Sequence, residues 1–496
     1  MTDQYPALLI IVPLFASIGV FALGWIEKRL CYPLTLAALA VSLASSLGLF
    51  FTVLDQGPVL YRLGGWQPPM GIALQIDLLN ALFLPLVAGV ALVNLIGTGP
   101  AVRLKQQDKA PAFYTLYLLV VTGLLGIVAT GDAFNLFVLL EIASLSSYAI
   151  LAMGDERAPL SSLNYLLVGT VGSSFYLLGV GYLYIVTGSL NMADISGLLQ
   201  PLHGSLTVMV AFAICLIGVF IKMAFFPVHT WLSNAYTSAS SPAASLIAPL
   251  TTKVMVYVML RLMLTVFSPE FTFQVADFSG VIVWLAVLAI VAGSVLALNT
   301  QSLKRMLTYV VIAEVGYMVG GAWLGTRAGM TGAMLHVFND ALMTLCVFLV
   351  VGNIVHVTGG HGLANLKENF SRMPFTMTAL VLGALSIIGV PPTCGFFSKW
   401  YLILGAIHAG QYAFMIALLF SSLINVILFF RVFEIGLFER TAPRIGHHGH
   451  GVAVQEAPAV MVVTTMVVAL GLVAAGLLTN WLVTTVIGPA IPLTLS

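Results

Sequence analysis

The sequence predicts an all-α polytopic membrane protein of about fourteen transmembrane helices arranged as two inverted five-helix repeats, each containing a broken helix. Three observations lead there. Sixty percent of the 496 residues are hydrophobic and only 7% are charged, with a mean hydropathy of +1.06, so the chain lacks the charged surface that a water-exposed fold of this size needs. Apolar runs of about 20 residues, the length that crosses a bilayer as a helix, recur along the whole chain. Two of these runs, the seventh and the twelfth, hold a lysine beside a proline-marked break, at depths where both are costly.

The runs lie at roughly 5–25, 31–54, 76–98, 112–130, 133–153, 163–187, 206–238, 243–267, 280–300, 305–325, 329–356, 374–409, 411–437 and 459–480. Met1 to Pro6 lacks a positive n-region, so the first run is expected to be a retained span. With the N-terminus outside, the inside loops collect Lys28, Arg29, Arg103, Lys105, Lys109, Arg157, Lys304, Arg305, Lys367, Arg372, Arg440 and Arg444, against Arg62 and Arg327 outside. This bias follows the positive-inside rule and places both termini on the outer face of the cell inner membrane. Of the nineteen Lys and Arg residues, five remain within spans: Lys222, Lys253, Lys399, Arg261 and Arg431. Arg261 and Arg431 fall near helix ends and are expected to anchor there by snorkelling. Asp77 and Asp132 lie at span edges and are expected to be solvated.

The seventh span holds Lys222 five residues before Pro227. Proline gives no N–H to the carbonyl four residues back and its ring clashes with it, so the helix should break just after Lys222. A break at membrane depth is tolerated only where protein or a water-filled cavity surrounds it. The twelfth span repeats the theme in Gly389-Val-Pro391-Pro392-Thr-Cys-Gly395-Phe-Phe-Ser-Lys399, with the lysine after the break. By the loop count the two spans run in opposite directions, the pattern of an inverted-repeat transporter with its site near the midplane. Four segments follow: an N-terminal three-helix segment over 1–111, a first repeat over 112–267, an inverted second repeat over 276–437, and a loop with the last helix over 438–496.

An ammonium at the bilayer centre costs at least about 2.5–3.5 kcal/mol on insertion scales, so Lys222, Lys253 and Lys399 call for an ion or proton path. Glu141, well inside the fifth span, would stay ionised only beside a cation; otherwise it is a protonated glutamate satisfied by a neighbouring helix. His336 and Asp340, four apart in the eleventh span, share a helical face and read as a central proton relay. Glu314 is a second buried-looking carboxylate, and Lys304 and Arg305 before it are expected to set topology. His229, two residues after Pro227, is either a relay or a polar plug in the break. His447, His448 and His450 fit a solvated loop better than a metal site.

The ordered string Lys222-Met-Ala-Phe-Phe-Pro227-Val-His229-Thr-Trp231-Leu, then Ser241-Pro242-Ala-Ala, Lys253 and Arg261 resembles the core of the proton-conducting membrane subunits shared by respiratory complex I and the Mrp-type cation/proton antiporters. The resemblance covers about residues 70 to 435. It implies that Glu141 tunes Lys222, and that Lys253 passes protons from Lys222 through His336 towards Lys399. Asp340 and Thr344 depart from the pattern of many relatives, where a histidine and a lysine stand, so the family's standard relay does not carry over residue by residue at these two positions.

The resemblance implies a subunit of a multisubunit Na+/proton antiporter of Mrp type. The alternatives are a proton-pumping subunit of complex I or a membrane-bound hydrogenase, and a transport-inactive structural subunit. Cys31, Cys215, Cys346 and Cys394 lie far apart with no ligand spacing, so no metal site and no cofactor is expected in this chain. Redox subunits, if any, would be partners, beside other membrane subunits, protons and Na+. The net charge of +1 comes from basic residues scattered in short loops, and no nucleic-acid partner is expected.

Overall fold

The computed structural model describes residues 4–105, 108–439, 454–493 and 495. The His447, His448 and His450 cluster lies outside them. Among the described residues, twelve helices are long and apolar enough to cross a membrane, and two shorter apolar helices stand beside the proline breaks.

Helices α1 (Tyr5–Ile26), α2 (Cys31–Gln56) and α3 (Phe83–Lys105) form the N-terminal segment. The link between α2 and α3 contains a two-stranded antiparallel hairpin, Val59–Arg62 against Ala73–Ile76, the one departure from the all-helical pattern among the described residues. Along α1, Phe15, Ile18, Phe21 and Trp25 are exposed at helical spacing, a stripe suited to hydrocarbon, where apolar side chains need no burial against protein.

Five helical crossings then appear in one order, and the order recurs. The first set is α4 (Ala110–Ala129), α5 (Ala133–Ala152), the long α6 (Ala158–Thr187), the interrupted pair α7 (Leu206–Lys222) and α8 (Thr230–Ser238), and α9 (Ser241–Arg261). The second is α10 (Ser279–Leu298), α11 (Leu303–Trp323), the long α12 (Arg327–Thr358), the interrupted pair α13 (Pro374–Ile388) and α14 (Cys394–His408), and α15 (Tyr412–Phe438). A detail of the loops repeats as well. Asp132, just before the second helix of the first set, bridges to Asn191 beyond the third, and Ser302 bridges to Gly362 at the corresponding place in the second. The last helix, α16 (Ala459–Leu477), belongs to neither set.

The core lies between the two sets. Every residue of α9 from Pro242 to Arg261 is buried, and α11 is nearly as enclosed. Yet α9 carries Lys253 and Arg261, and α11 carries Lys304 and Glu314, so the most deeply packed helices hold the charges.

At the first break α7 ends on Lys222, Ala224 takes a left-handed backbone (φ 57°), and the Phe226–Pro227 bond is cis. The Ile221 carbonyl, which also takes the Ala224 N–H at 3.2 Å, accepts a bond from the Trp231 indole at 3.3 Å. At the second break Gly389 supplies a positive φ of 93° after α13, and Pro391–Pro392 is cis. Here α16 closes in: a Cβ on Gly476 would collide with the Pro392 carbonyl. Gly476→Val is therefore expected to cost about 1–3 kcal/mol through overpacking, read as a lower unfolding temperature in detergent. Gly471→Val, with nothing within 4 Å of its Cβ position, should leave that temperature unchanged; equal shifts for the two would refute the contact.

Candidate proton path

Three sets of polar side chains occupy the interior. The first joins α5 and α7. Glu141, Ser144 and Tyr148 stand at i, i+3 and i+7 and so share one face of α5. Lys222 Nζ reaches all three: it donates to Ser144 Oγ at 2.8 Å and to Tyr148 Oη at 3.3 Å, and pairs with Glu141 Oε1 at 3.7 Å. The Lys222 side chain is 4% exposed and that of Glu141 is 25% exposed, so the carboxylate is the less enclosed member of the pair. Tyr148 packs edge-on against Tyr165, which stacks on Trp231 at 4.0 Å. The aromatic column ties this ion pair to the helix that follows the break.

The second set lies between α9 and α12. Lys253 Nζ pairs with Asp340 Oδ2 at 2.8 Å, both side chains 1% exposed. It also donates to the Ala248 carbonyl at 3.3 Å and to Thr344 Oγ1 at 3.4 Å. Thr344, one helical turn after Asp340, donates to Asp340 Oδ1 at 2.8 Å. A hydroxyl thus stands beside the ion pair.

The third set centres on α11, α12 and α14. His336 Nε2 faces Glu314 Oε2 at 3.7 Å, and its Nδ1 is 2.9 Å from Ser398 Oγ. The imidazole lies 5.2 Å from the Tyr317 ring, and the Lys399 ammonium sits 5.2 Å from the centre of that same ring. Lys399 donates to the carbonyls of Ile387 and Ile388 at 2.6 and 3.2 Å, and to Ser422 Oγ at 3.0 Å. Those carbonyls end α13 just before the break, where the helix dipole and orphan acceptors favour a cation.

The sequence profile described as NADH:quinone oxidoreductase/Mrp antiporter, TM matches residues 130–425, a stretch that holds all three sets. The chain belongs to this antiporter family. It is an antiporter-like membrane subunit of the kind found in Mrp and complex I assemblies. It is 40% identical over 99% of both chains to a protein named NADH-quinone oxidoreductase subunit N of Desulforudis audaxviator. To the D-type subunit of a Na(+)/H(+) antiporter of Alkalihalophilus pseudofirmus it is 30% identical over 78% of both. Among solved structures, a chain of the membrane-bound sulfane sulfur reductase, an archaeal respiratory membrane complex, matches at 29% identity with a TM-score of 0.89, covering 98% of this chain and 97% of that one. A chain of the Mrp complex from Dietzia sp. DQ12-45-1b shares the fold at 23% identity and a TM-score of 0.88, over 99% of this chain and 96% of that one.

Within this antiporter-family chain several sequence expectations need correction. Arg261 is not a snorkelling anchor: it is 4% exposed and grips Asp77 through two nitrogens, at 2.5 and 3.0 Å. Asp77 is accordingly not a solvated edge residue, and it also caps the one-turn helix Leu78–Ala81. Asp132 is 6% exposed, and its carboxylate accepts from Asn135 N at 2.7 Å, capping α5. Lys304 is buried and donates to the Ala239 carbonyl, so it does more than mark a loop. Arg431 is half-buried and bonds Leu298 O and Gln301 Oε1.

His229 is 7% exposed and stacks on Phe226 at 5.3 Å, inside the first break. Sequence reasoning missed Ser144, Tyr148, Tyr317 and Ser398, though the spacing of the first two from Glu141 was a usable signal. It also missed a cavity of about 210 Å³ over the start of α9, lined by Asp155, Ser240, Lys304, His356 and His361 among others. Burial lowers the His361 imidazole pKa below its ordinary value, and the nearby Lys304 ammonium acts in the same direction.

Proposed function

We propose that the chain is the proton-translocating subunit of a larger membrane complex, with protons passing along Glu141, Lys222, Lys253, His336 and Lys399. The observation that carries this reading is the series of three enclosed lysines, each held by polar partners: Glu141 and Tyr148, then Asp340 and Thr344, then carbonyls and Ser422 beside Tyr317. Buried intramembrane charges that pair with one another are the mark of such pathways. Glu314 and Asp340 belong to the same line, and His229 serves the first break as a polar contact to Phe226.

The reading adopts the two five-helix repeats as the units of transport, 112–267 and 276–437. Each interrupted pair, flanking Pro227 or Pro391 and Pro392, counts as one crossing. Fourteen crossings result, with both termini on the outer face of the inner membrane, as the distribution of Lys and Arg supports.

Two settings compete for the same path. The 40% full-length likeness to a protein named NADH-quinone oxidoreductase subunit N supports a pump driven by redox subunits. The likeness to D-type subunits of Na(+)/H(+) antiporters supports Na+/H+ exchange beside other membrane subunits. In either setting flavin or iron–sulfur chemistry would reside in partners, since the spacing of the four cysteines offers no ligand set. Purifying the tagged chain from its native membrane in mild detergent, with mass spectrometry of what accompanies it, separates the two. Peripheral iron–sulfur proteins mean the redox pump; small hydrophobic subunits without them mean the antiporter, to be followed by Na+-dependent proton flux. Recovery of the chain alone would count against both.

A further inference from the structure

Ser398 Oγ lies 2.9 Å from His336 Nδ1 and 3.2 Å from the Gly395 carbonyl; in the tautomer of His336 that carries its hydrogen on Nδ1, Ser398 gives its own hydrogen to that carbonyl and accepts from Nδ1. A neutral ring then turns a lone pair at Nε2 towards Glu314 Oε2. On its other side the Glu314 carboxyl stands within hydrogen-bonding reach of the Asp340 carboxyl. Asp340 is held as an anion by Lys253 and accepts from Thr344.

One carboxyl is thus flanked by two acceptors, an imidazole lone pair and a carboxylate. Glu314 Oε1 and His336 Nε2 are both fully enclosed and find no donor among the described residues. An ionised Glu314 would meet repulsion from Asp340 and no bond from His336, in a site where side-chain exposure is 0–1%. A carboxylic acid fits instead, because its one O–H can be directed at either neighbour. Among the described residues, the other charged and titratable groups facing this site are Lys253 from α9, Tyr317 from α11, and Cys394 and Lys399 from α14.

We propose that Glu314 is held as a neutral carboxylic acid and works as a two-position proton switch between the Lys253–Asp340 pair and His336. This rests on the proton-translocating reading and specifies its central step. In one position the Glu314 O–H points at Asp340. In the other that O–H breaks as an N–H forms at His336 Nε2, leaving Glu314 as carboxylate and His336 as imidazolium. Lys253 meanwhile gives a proton to Asp340, becoming a neutral amine, and Asp340 passes that proton to Glu314, restoring the acid and its own charge. One proton has then moved from Lys253 to His336, with Asp340 and Glu314 returned to their starting states. No oxidant, reductant or metal is needed, and each step moves one proton between two named atoms.

The test is infrared difference spectroscopy on the assembled complex, wild type against Glu314→Gln, at near-neutral pH in H2O and D2O. The expected difference contains the C=O stretch of a protonated carboxylic acid that shifts on deuteration. Asp340→Asn should keep that band and displace it. Glu314→Asp, which retains the acid on a shorter arm, should keep the band and part of the proton flux. Glu314→Gln preserves shape but has no transferable proton, so its flux should fall about a hundredfold.

A difference spectrum showing only carboxylate stretches overturns the proposal, as does wild-type flux in Glu314→Gln or loss of the acid band in Glu314→Asp. Failure of the wider reading would look different. Undiminished flux in Lys222→Ala would remove the proton path as a whole while leaving the acid band of Glu314 in place.

Discussion

Lys253→Met is expected to abolish proton transport and to destabilise the folded chain by about 3–5 kcal/mol, because it strands the Asp340 carboxylate in the core without its ammonium. The pair is 1% exposed on both sides and 2.8 Å apart, so neither member can fall back on water. Such a pair owes little net stability to its own existence, since desolvating two ions offsets most of their attraction, whereas losing one ion leaves the full penalty of the other. The double variant Lys253→Met/Asp340→Leu should therefore regain most of the lost stability and none of the transport. Unfolding midpoints in detergent and proton flux in the assembled complex measure the two quantities separately. Recovery of flux in the double variant would show that the pair is only structural.

Lys222→Ala should cut proton flux about a hundredfold while costing much less stability than Lys253→Met. The difference comes from the partners. Glu141 is a quarter exposed where Asp340 is 1% exposed, and the other two partners of Lys222, Ser144 and Tyr148, are neutral. Glu141→Gln keeps a polar group opposite Lys222 but removes its charge, so its flux should fall between wild type and Lys222→Ala. Assembly of both variants with their partners, checked by co-purification, separates a transport defect from a folding defect. Wild-type flux in Lys222→Ala, with assembly intact, would leave the structural-subunit reading standing.

Much of this was legible in the sequence because prolines and lysines are conspicuous against hydrocarbon. Pro227 places the end of α7 and Pro391-Pro392 that of α13, by a steric rule that needs no knowledge of neighbours. What the sequence hid were partnerships across distance. Asp77 and Arg261 each sit at the end of an apolar run, where a charge usually reaches water, and only the packing of α3, α4 and α9 turns them towards one another. Lys304 was hidden for the same reason, being one half of a Lys-Arg pair of which only Arg305 faces outward. The hairpin over 59–76 escaped notice because its strands, Val59–Arg62 and Ala73–Ile76, are only four residues long, too short for an alternation to stand out between two long apolar runs. Glu314 and Asp340 lie on different helices, and nothing in their local spacing says that they meet.

The clamp between Arg261 and Asp77 bears on how any conduction must take place. One end of α9 is locked to the N-terminal segment by this paired contact, and Tyr257 is bonded to the Val128 carbonyl at 2.9 Å. The other end is tied to α3 by the bond from Asn94 to Ser245 at 2.7 Å. A helix pinned at both ends and enclosed along its length behaves as a fixed beam, not a piston. Transporters that expose a site alternately to each side swing one half of the molecule against the other; the proposed path asks for less, the movement of lysine arms, a carboxyl rotor and the hydrogens they exchange beside this beam.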